Sequence, residues 1–241
     1  MTDEPRAWQV VLETIERDLL EGRLRPGDRL PGERALSADL GVGRSSVREA
    51  IRVLEVLGLV RTATGSGPSA GAIIVALPGG GMSALMRLQV AATGFAVADI
   101  VKTRLVLETA VAADLADATP RPDLSASIAL LDVMESRALP EAEFLALDAQ
   151  FHLSLAEASG NQVIAATMAG LRSSIESYVR EGATSLPSWT DTADRLKREH
   201  RDIVAAIEAG DAASARDGVH HHISAYYAET NLPTSRNEIP K

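Results

Sequence analysis

Positions 26–50 constrain this chain more tightly than any other stretch. Pro26-Gly27-Asp28-Arg29-Leu30-Pro31-Gly32-Glu33-Arg34 is followed by Gly41-Val42-Gly43-Arg44-Ser45-Ser46-Val47-Arg48-Glu49-Ala50. The proline and glycine pairs demand turns, because proline presets φ and glycine tolerates conformations closed to other residues. Between them, residues 33–40 read as a short helix ended by Gly41. Residues 45–57 read as a second helix with Val47, Ile51, Leu54 and Leu57 facing inward and Gly58 ending it. Turn, helix, tight turn and a helix that opens on arginines is the layout of a helix-turn-helix, whose second helix enters a DNA major groove.

The flanks extend the pattern. Residues 6–21 carry Trp8, Val11, Leu12, Ile15 and Leu19 at helical spacing. After Gly58 the chain reads as an extended segment at 59–62, a glycine-rich tip at 65–71 and an apolar run at 72–77, which predicts the hairpin "wing" of a winged helix. Arg44 and Arg48 lie four apart and so share a helix face. A guanidinium fork matches guanine O6 and N7 as well as phosphate oxygens. Ser45 and Ser46, with the helix-start amides, suit backbone phosphate. Arg34 begins the preceding helix and reaches toward the same groove, while Gly65 and Gly67 would let the wing backbone approach the minor groove. On periodicity alone, an amphipathic helix pair with solvated arginines fits as well.

The net charge of −9 seems to oppose a polyanionic partner. Its distribution answers the objection. Positions 1–77 hold ten arginines, no lysine and 11 acidic residues, so nearly all the excess negative charge lies beyond position 77. With only 3% aromatic residues, the core must rest on Leu, Val, Ile and Ala, which suits packed helices. The absence of cysteine excludes disulfides, thiol catalysis and thiolate metal sites. No apolar run reaches the length of a membrane span, and the first residues are polar and acidic, so the expected location is the cytoplasm without a membrane partner.

Pro78-Gly79-Gly80-Gly81 reads as a linker. Beyond it no strand signal occurs. Helical segments are expected at 83–93, 97–118, 123–137, 140–159, 162–181, 189–209 and 211–230, broken by Gly94, Pro120, Pro140, Gly160, Pro187 and Gly210. The fold class expected is mainly α: an N-terminal winged helix-turn-helix with a small β wing, then an all-α antiparallel bundle. The corresponding domains are 6–77, a linker and connecting helix at 78–94, and the bundle at 95–232.

Within the bundle, polar ligands sit on apolar faces. Asp148 and His152 share a stripe with Phe144, Leu147, Phe151 and Leu155. His200 lies with Leu196, Ile203, Val204 and Ile207, and His222 with Val219, Ile223 and Tyr226. A lone inward histidine is ordinarily a hydrogen-bonded core residue, and a lone inward aspartate is ordinarily salt-bridged. One carboxylate and three imidazoles together suggest a divalent cation that offsets the cost of burial. Zn²⁺ heads the candidates; Ni²⁺, Mn²⁺ and Fe²⁺ also suit the donor set. Arg104, on a stripe with Ile100, Leu107 and Val111, also points inward, either toward a carboxylate ligand or toward Glu108 four residues on.

Residues 6–77 resemble the winged helix-turn-helix of the GntR family of bacterial transcription regulators. The likeness runs through Pro26 to Pro31, Glu33-Arg34, Leu36, Leu40-Gly41-Val42, Arg44, Val47-Arg48-Glu49-Ala50 and Leu54-Glu55 to Gly58-Leu59-Val60. Residues from about 95 to 230 resemble the FCD ligand-binding domain of its FadR subfamily, with Asp148-x-x-x-His152 and the later His200 and His222 as the matching elements. The resemblance implies operator contacts at Arg34, Arg44 and Arg48 and a wing contact at Gly65 or Gly67. It also implies a metal at the four body residues, and a cavity beside it that accepts a carboxylate. The function expected is a homodimeric repressor on a near-palindromic DNA operator, relieved by a small organic acid at the metal and Arg104. A direct metal sensor and a metal-dependent enzyme fused to a DNA-binding head are the alternatives. Two departures from the family pattern stand out: Gly43 replaces a common serine, and the tip 65–71 is long and carries Pro68.

Overall fold

The computed structural model describes residues 6–63, 71–75, 80–93 and 95–230. The expected wing contacts Gly65 and Gly67, and the expected linker residues Pro78 and Gly79, lie outside these. The chain divides into two compact units, residues 1–85 and 86–241.

The first unit contains α1 (Ala7–Leu20), α2 (Glu33–Leu40), α3 (Arg44–Val56), β1 (Val60–Ala63) and β2 (Gly71–Ile74). Val11, Ile15, Leu36, Val47, Ala50, Ile51 and Leu54 from the three helices meet Val60, Ala72 and Ile74 from the hairpin in one core. Gly41 closes α2 at φ 64°, a left-handed conformation that lets the chain reverse into α3 without a Cβ penalty. β1 and β2 pair antiparallel, with Val60 opposite Ile74 and Ala63 opposite Gly71.

The Pro26–Leu30 motif has a backbone role that the sequence pattern hides. Gly27 N–H donates to the Ile74 carbonyl at 2.9 Å, Ile74 N–H to the Asp28 carbonyl at 2.8 Å, and Leu30 N–H to the Ala72 carbonyl at 2.9 Å. Residues 27–30 thus occupy the free edge of β2 rather than serving only as a turn. The Asp28 carboxylate tightens the approach by accepting from Arg25 N–H at 2.7 Å.

α4 (Gly80–Thr93) begins three residues before the expected start, so half of the expected linker is helical. The second unit then runs through α5 (Val97–Asp117), α6 (Ser125–Ser136), α7 (Glu141–Ala158), α8 (Gln162–Ala183), α9 (Trp189–Ala209) and α10 (Ala212–Glu229). Asn161, Ser188 and Asp211 cap α8, α9 and α10 by accepting from backbone amides of the first turn. Gly210 closes α9 at φ 78°.

α5 packs on α7, α8, α9 and α10. It is buried on most of its circumference through Val101, Val111, Ala112, Leu115 and Ala116, as a central helix must be. Arg104 and Glu108, on the same helix, are 3% and 5% exposed. A charged pair in the middle of an apolar core persists only where partners compensate it, and these partners lie at the centre described next. None of the described helices is long and apolar enough to cross a membrane.

Candidate nucleic-acid interface and metal centre

In the first unit, α3 opens on Arg44 and displays its arginines to solvent. Arg44, Ser45 and Arg48 are exposed, Ser46 is half-buried, and Arg34 at the start of α2 is exposed. Arg52, one turn beyond Arg48, is also exposed and extends the row; the sequence reading passed over it. Glu33 gathers this row. Its Oε2 lies 2.9 Å from Arg48 Nε and 3.9 Å from Arg44 Nη2, with both arginines more than half exposed. Exposed pairs of this kind are worth little in stability; their effect is to orient the guanidiniums. Glu55, on the same helix, accepts from the Thr62 amide at 3.1 Å and from its hydroxyl, which ties β1 to α3.

In the second unit, α7 supplies Asp148 and His152, α9 supplies His200 and α10 supplies His222, all fully or nearly buried. One ligand atom from each lies within 4.8 Å of the other three. His152 Nε2 is 3.1 Å from His222 Nε2, which is 3.3 Å from His200 Nε2. Asp148 Oδ1 lies 3.1 Å from His200 Nε2 and 3.8 Å from His222 Nε2.

One outer nitrogen fixes how its ring faces the centre. His222 Nδ1 donates to Glu199 Oε2 at 2.8 Å, whereas His152 Nδ1 lies 2.6 Å from Glu108 Oε2 outside hydrogen-bond geometry. The Glu199 carboxylate selects the His222 tautomer with its proton at Nδ1, leaving the Nε2 lone pair facing inward. A second imidazole nitrogen 3.1 Å from that lone pair is repelled unless a cation or a proton lies between them. Asp148 Oδ1 adds a buried carboxylate oxygen with no hydrogen-bond partner among the described residues, despite its proximity to His200. Adjacent donors around an ion held at ~2.0–2.1 Å stand about 3.0–3.4 Å apart in tetrahedral or octahedral arrangements. The residues present fit a first-row divalent ion.

Electrostatics agree. Burial, followed by the proximity of His200, pushes the His222 imidazole down to about 4, and burial also lowers His200, so both are neutral ligands at pH 7. Burial would raise Asp148, but the facing imidazoles outweigh it and hold the carboxyl well below the usual range. Burial likewise opposes ionisation of Glu108, yet Arg104 and His152 hold it at about 2. Glu199 also stands at about 2, with His222 and Arg195 overcoming its burial.

Arg104 pairs with Glu108, Nε to Oε1 at 2.6 Å, which is the internal salt bridge the i,i+4 spacing allowed. Its Nη1 donates to Tyr178 Oη at 2.6 Å. The same Arg104 also borders a small cavity shared with Asp148, Tyr178, His222 and Tyr226. Of Leu107, Leu155, Met168, Arg172 and Tyr178, only Tyr178 lines it. Leu155 and Met168 are core residues, Leu107 packs at the core margin, and Arg172 pairs with Glu176 and Gln150. Glu199, Arg195 and Tyr178 are the functional neighbours whose roles the sequence left unread. The i,i+4 spacing of Arg195 and Glu199 is the signal that could have found two of them.

Residues 99–225 match the FCD domain family, and residues 8–68 match the family described as bacterial regulatory proteins, gntR family. The chain is 30% identical over 204 residues to the HTH-type transcriptional regulator LutR of Bacillus subtilis (strain 168), covering 84% of this chain and 91% of that protein. It is 28% identical to the HTH-type transcriptional repressor NanR of Cronobacter sakazakii, covering 91% and 84%. It is also 28% identical to the Glc operon transcriptional activator of Escherichia coli (strain K12), covering 86% and 82%. Among solved structures, Streptococcus agalactiae GntR superposes with a TM-score of 0.59 at 26% identity, covering 91% of this chain and 98% of that one.

Proposed function

The chain belongs to the GntR family of bacterial regulatory proteins and carries an FCD domain; it is a transcription regulator rather than an enzyme, and on that premise we propose how it acts. A head at 6–77 binds DNA, a connector spans 78–94, and a body at 95–232 senses a small organic acid. A cytoplasmic homodimer sets one α3 in each half of a near-palindromic operator, with Arg44 and Arg48 at base edges, Ser45, Ser46 and Arg34 on the backbone, and Gly65 and Gly67 at the wing contact. Its sign is repression, relieved by the acid.

Asp148, His152, His200 and His222 hold a divalent ion, Zn²⁺ first among the candidates. The ion supplies a Lewis-acid position for a carboxylate oxygen. Glu199 keeps the His222 imidazole in the ligating tautomer, and Arg104 offers the acid its second charged contact. Charge supports this arrangement. Asp148, Glu108, Glu199 and Glu229 against Arg104 and Arg195 leave two negative charges around the centre, which a divalent cation offsets.

The observation that carries the reading is the convergence of three buried Nε2 atoms on Asp148 beside Arg104. The effect on DNA equals the acid's differential affinity for the two arrangements of the dimer, on the order of 5–150-fold for couplings of ordinary size. Operator binding is measured by fluorescence anisotropy with zinc-loaded and chelated protein, each titrated with carboxylic acids. Weakened operator binding that needs both metal and acid supports the proposal. An effect of metal alone transfers it to direct metal sensing, and acid-strengthened binding reverses the sign.

A further inference from the structure

We propose that Tyr178 is an internal stand-in for the effector, its hydroxyl holding the position on Arg104 that an acid's carboxylate oxygen takes. The proposal rests on the carboxylate reading above and specifies how the site is closed and what it admits.

Arg104 commits three of its five N–H donors to neighbouring side chains. Its Nε donates to Glu108 Oε1 at 2.6 Å, its Nη2 lies 3.5 Å from Glu108 Oε2, and its Nη1 donates to Tyr178 Oη at 2.6 Å. The Glu108 side cannot be given up cheaply, because Glu108 also holds His152. Tyr178 is the exchangeable partner: neutral, reaching Arg104 from α8, and in the wall of the cavity itself.

The cavity beside Asp148 and His222 has only about 10 Å³ of room for the centre of a water-sized sphere. One water needs about 10–15 Å³ on that measure, so even acetate does not fit while the walls stand. Tyr178 and Tyr226 close it from α8 and α10, and Tyr226 Oη donates to the Val179 carbonyl at 2.5 Å. The backbone next to Tyr178 is therefore tethered to α10, the helix that carries His222. An acid that takes the Nη1 hydrogen held by Tyr178 must displace its hydroxyl, and the disturbance passes to α8 and through Tyr226 to α10. The ring sets a competition for Arg104 and, by its size, limits the effector to compact acids of few carbons.

Zinc-loaded full-length protein, as wild type and Tyr178→Phe, is titrated calorimetrically with formate, acetate and citrate, and wild type also with acetamide. Phenylalanine keeps the ring and the packing but vacates Nη1, so acetate binding tightens about tenfold, the scale of a lost hydrogen bond to a charged group. Tyr178→Ala removes the wall, and citrate then gains on acetate. Acetate binding to Tyr178→Phe that equals or falls below wild type, with both proteins showing the same near-ultraviolet circular dichroism, overturns the stand-in. Acetamide binding wild type as well as acetate, or no acid binding either protein, overturns the carboxylate reading itself, whatever Tyr178 does.

Discussion

Glu199→Gln separates metal support from fold support. Glu199 accepts the His222 Nδ1 proton at 2.8 Å and is paired on its other oxygen with Arg195 at 2.7 Å. The substitution keeps the shape and removes the charge. Arg195 is not orphaned, because Glu229 holds its second nitrogen at 2.7 Å, and at 24% exposure it remains partly hydrated. The stability cost is therefore about 1 kcal/mol or less, the range of a partly exposed pair. The metal cost is larger. Without the carboxylate, His222 loses both its preferred tautomer and part of its basicity, and losses of this type run to ~10–100-fold in affinity, about 1.4–2.7 kcal/mol. Glu108→Gln is the contrasting case. It removes the carboxylate paired with Arg104, whose side chain is 4% exposed, and breaking a buried pair costs about 3–5 kcal/mol in stability as well as metal affinity. The assay is zinc competition against a chromophoric chelator at pH 7, with thermal melts in chelator for the fold. A Glu199→Gln protein whose zinc affinity stays within about twofold of wild type, well short of the second-layer range, refutes the reasoning.

Three further outcomes are expected. Arg44→Ala weakens operator binding by about 1–3 kcal/mol and relaxes base preference at one position if Arg44 reads a guanine; if it touches phosphate alone, specificity survives and the salt slope falls by about one, as a salt series of anisotropy titrations reads directly. Gly182→Ala lowers the melting temperature, because the added Cβ would stand 2.6 Å from Thr230 Cβ and 2.7 Å from its Cγ2; Gly182→Ala with Thr230→Ser recovers part of the loss in the same melt. In chelated protein, His222 titrates near 4 in the fold against 6.5 in the open chain, and His200 is shifted the same way. The unfolded chain therefore binds protons first, so stability is full above pH 6.5 and falls as the pH drops toward 4, measurable as a declining urea midpoint.

What was legible in the sequence was what local chemistry dictates. α2 and α9 begin and end where expected because their stops, Gly41 and Gly210, require a left-handed backbone and advertise themselves. The four candidate ligands stood out because each is a polar residue on an otherwise apolar helical stripe, and all four side chains converge. Distances between helices were not legible. Tyr178 meets Arg104 across 74 residues of chain, and Glu199 faces inward only because α10 lies against α9. Apolarity does not mark the cavity walls either, since Leu155 and Met168 are buried in the core yet do not line the cavity. The Pro26–Leu30 stretch was read as a turn because strand pairing with residues more than 40 positions away leaves no periodic trace in five residues.

That pairing carries a mechanical consequence. The strip at 27–30 is stitched to β2 and runs directly into Glu33 and Arg34 at the front of α2. A force applied to β2 is transmitted along this seam to Glu33, which pairs with Arg44 and Arg48, so the strand pair and the front of α2 are mechanically joined. The seam also leaves β2 without a bare flank on that side, so a neighbouring molecule cannot add a strand there.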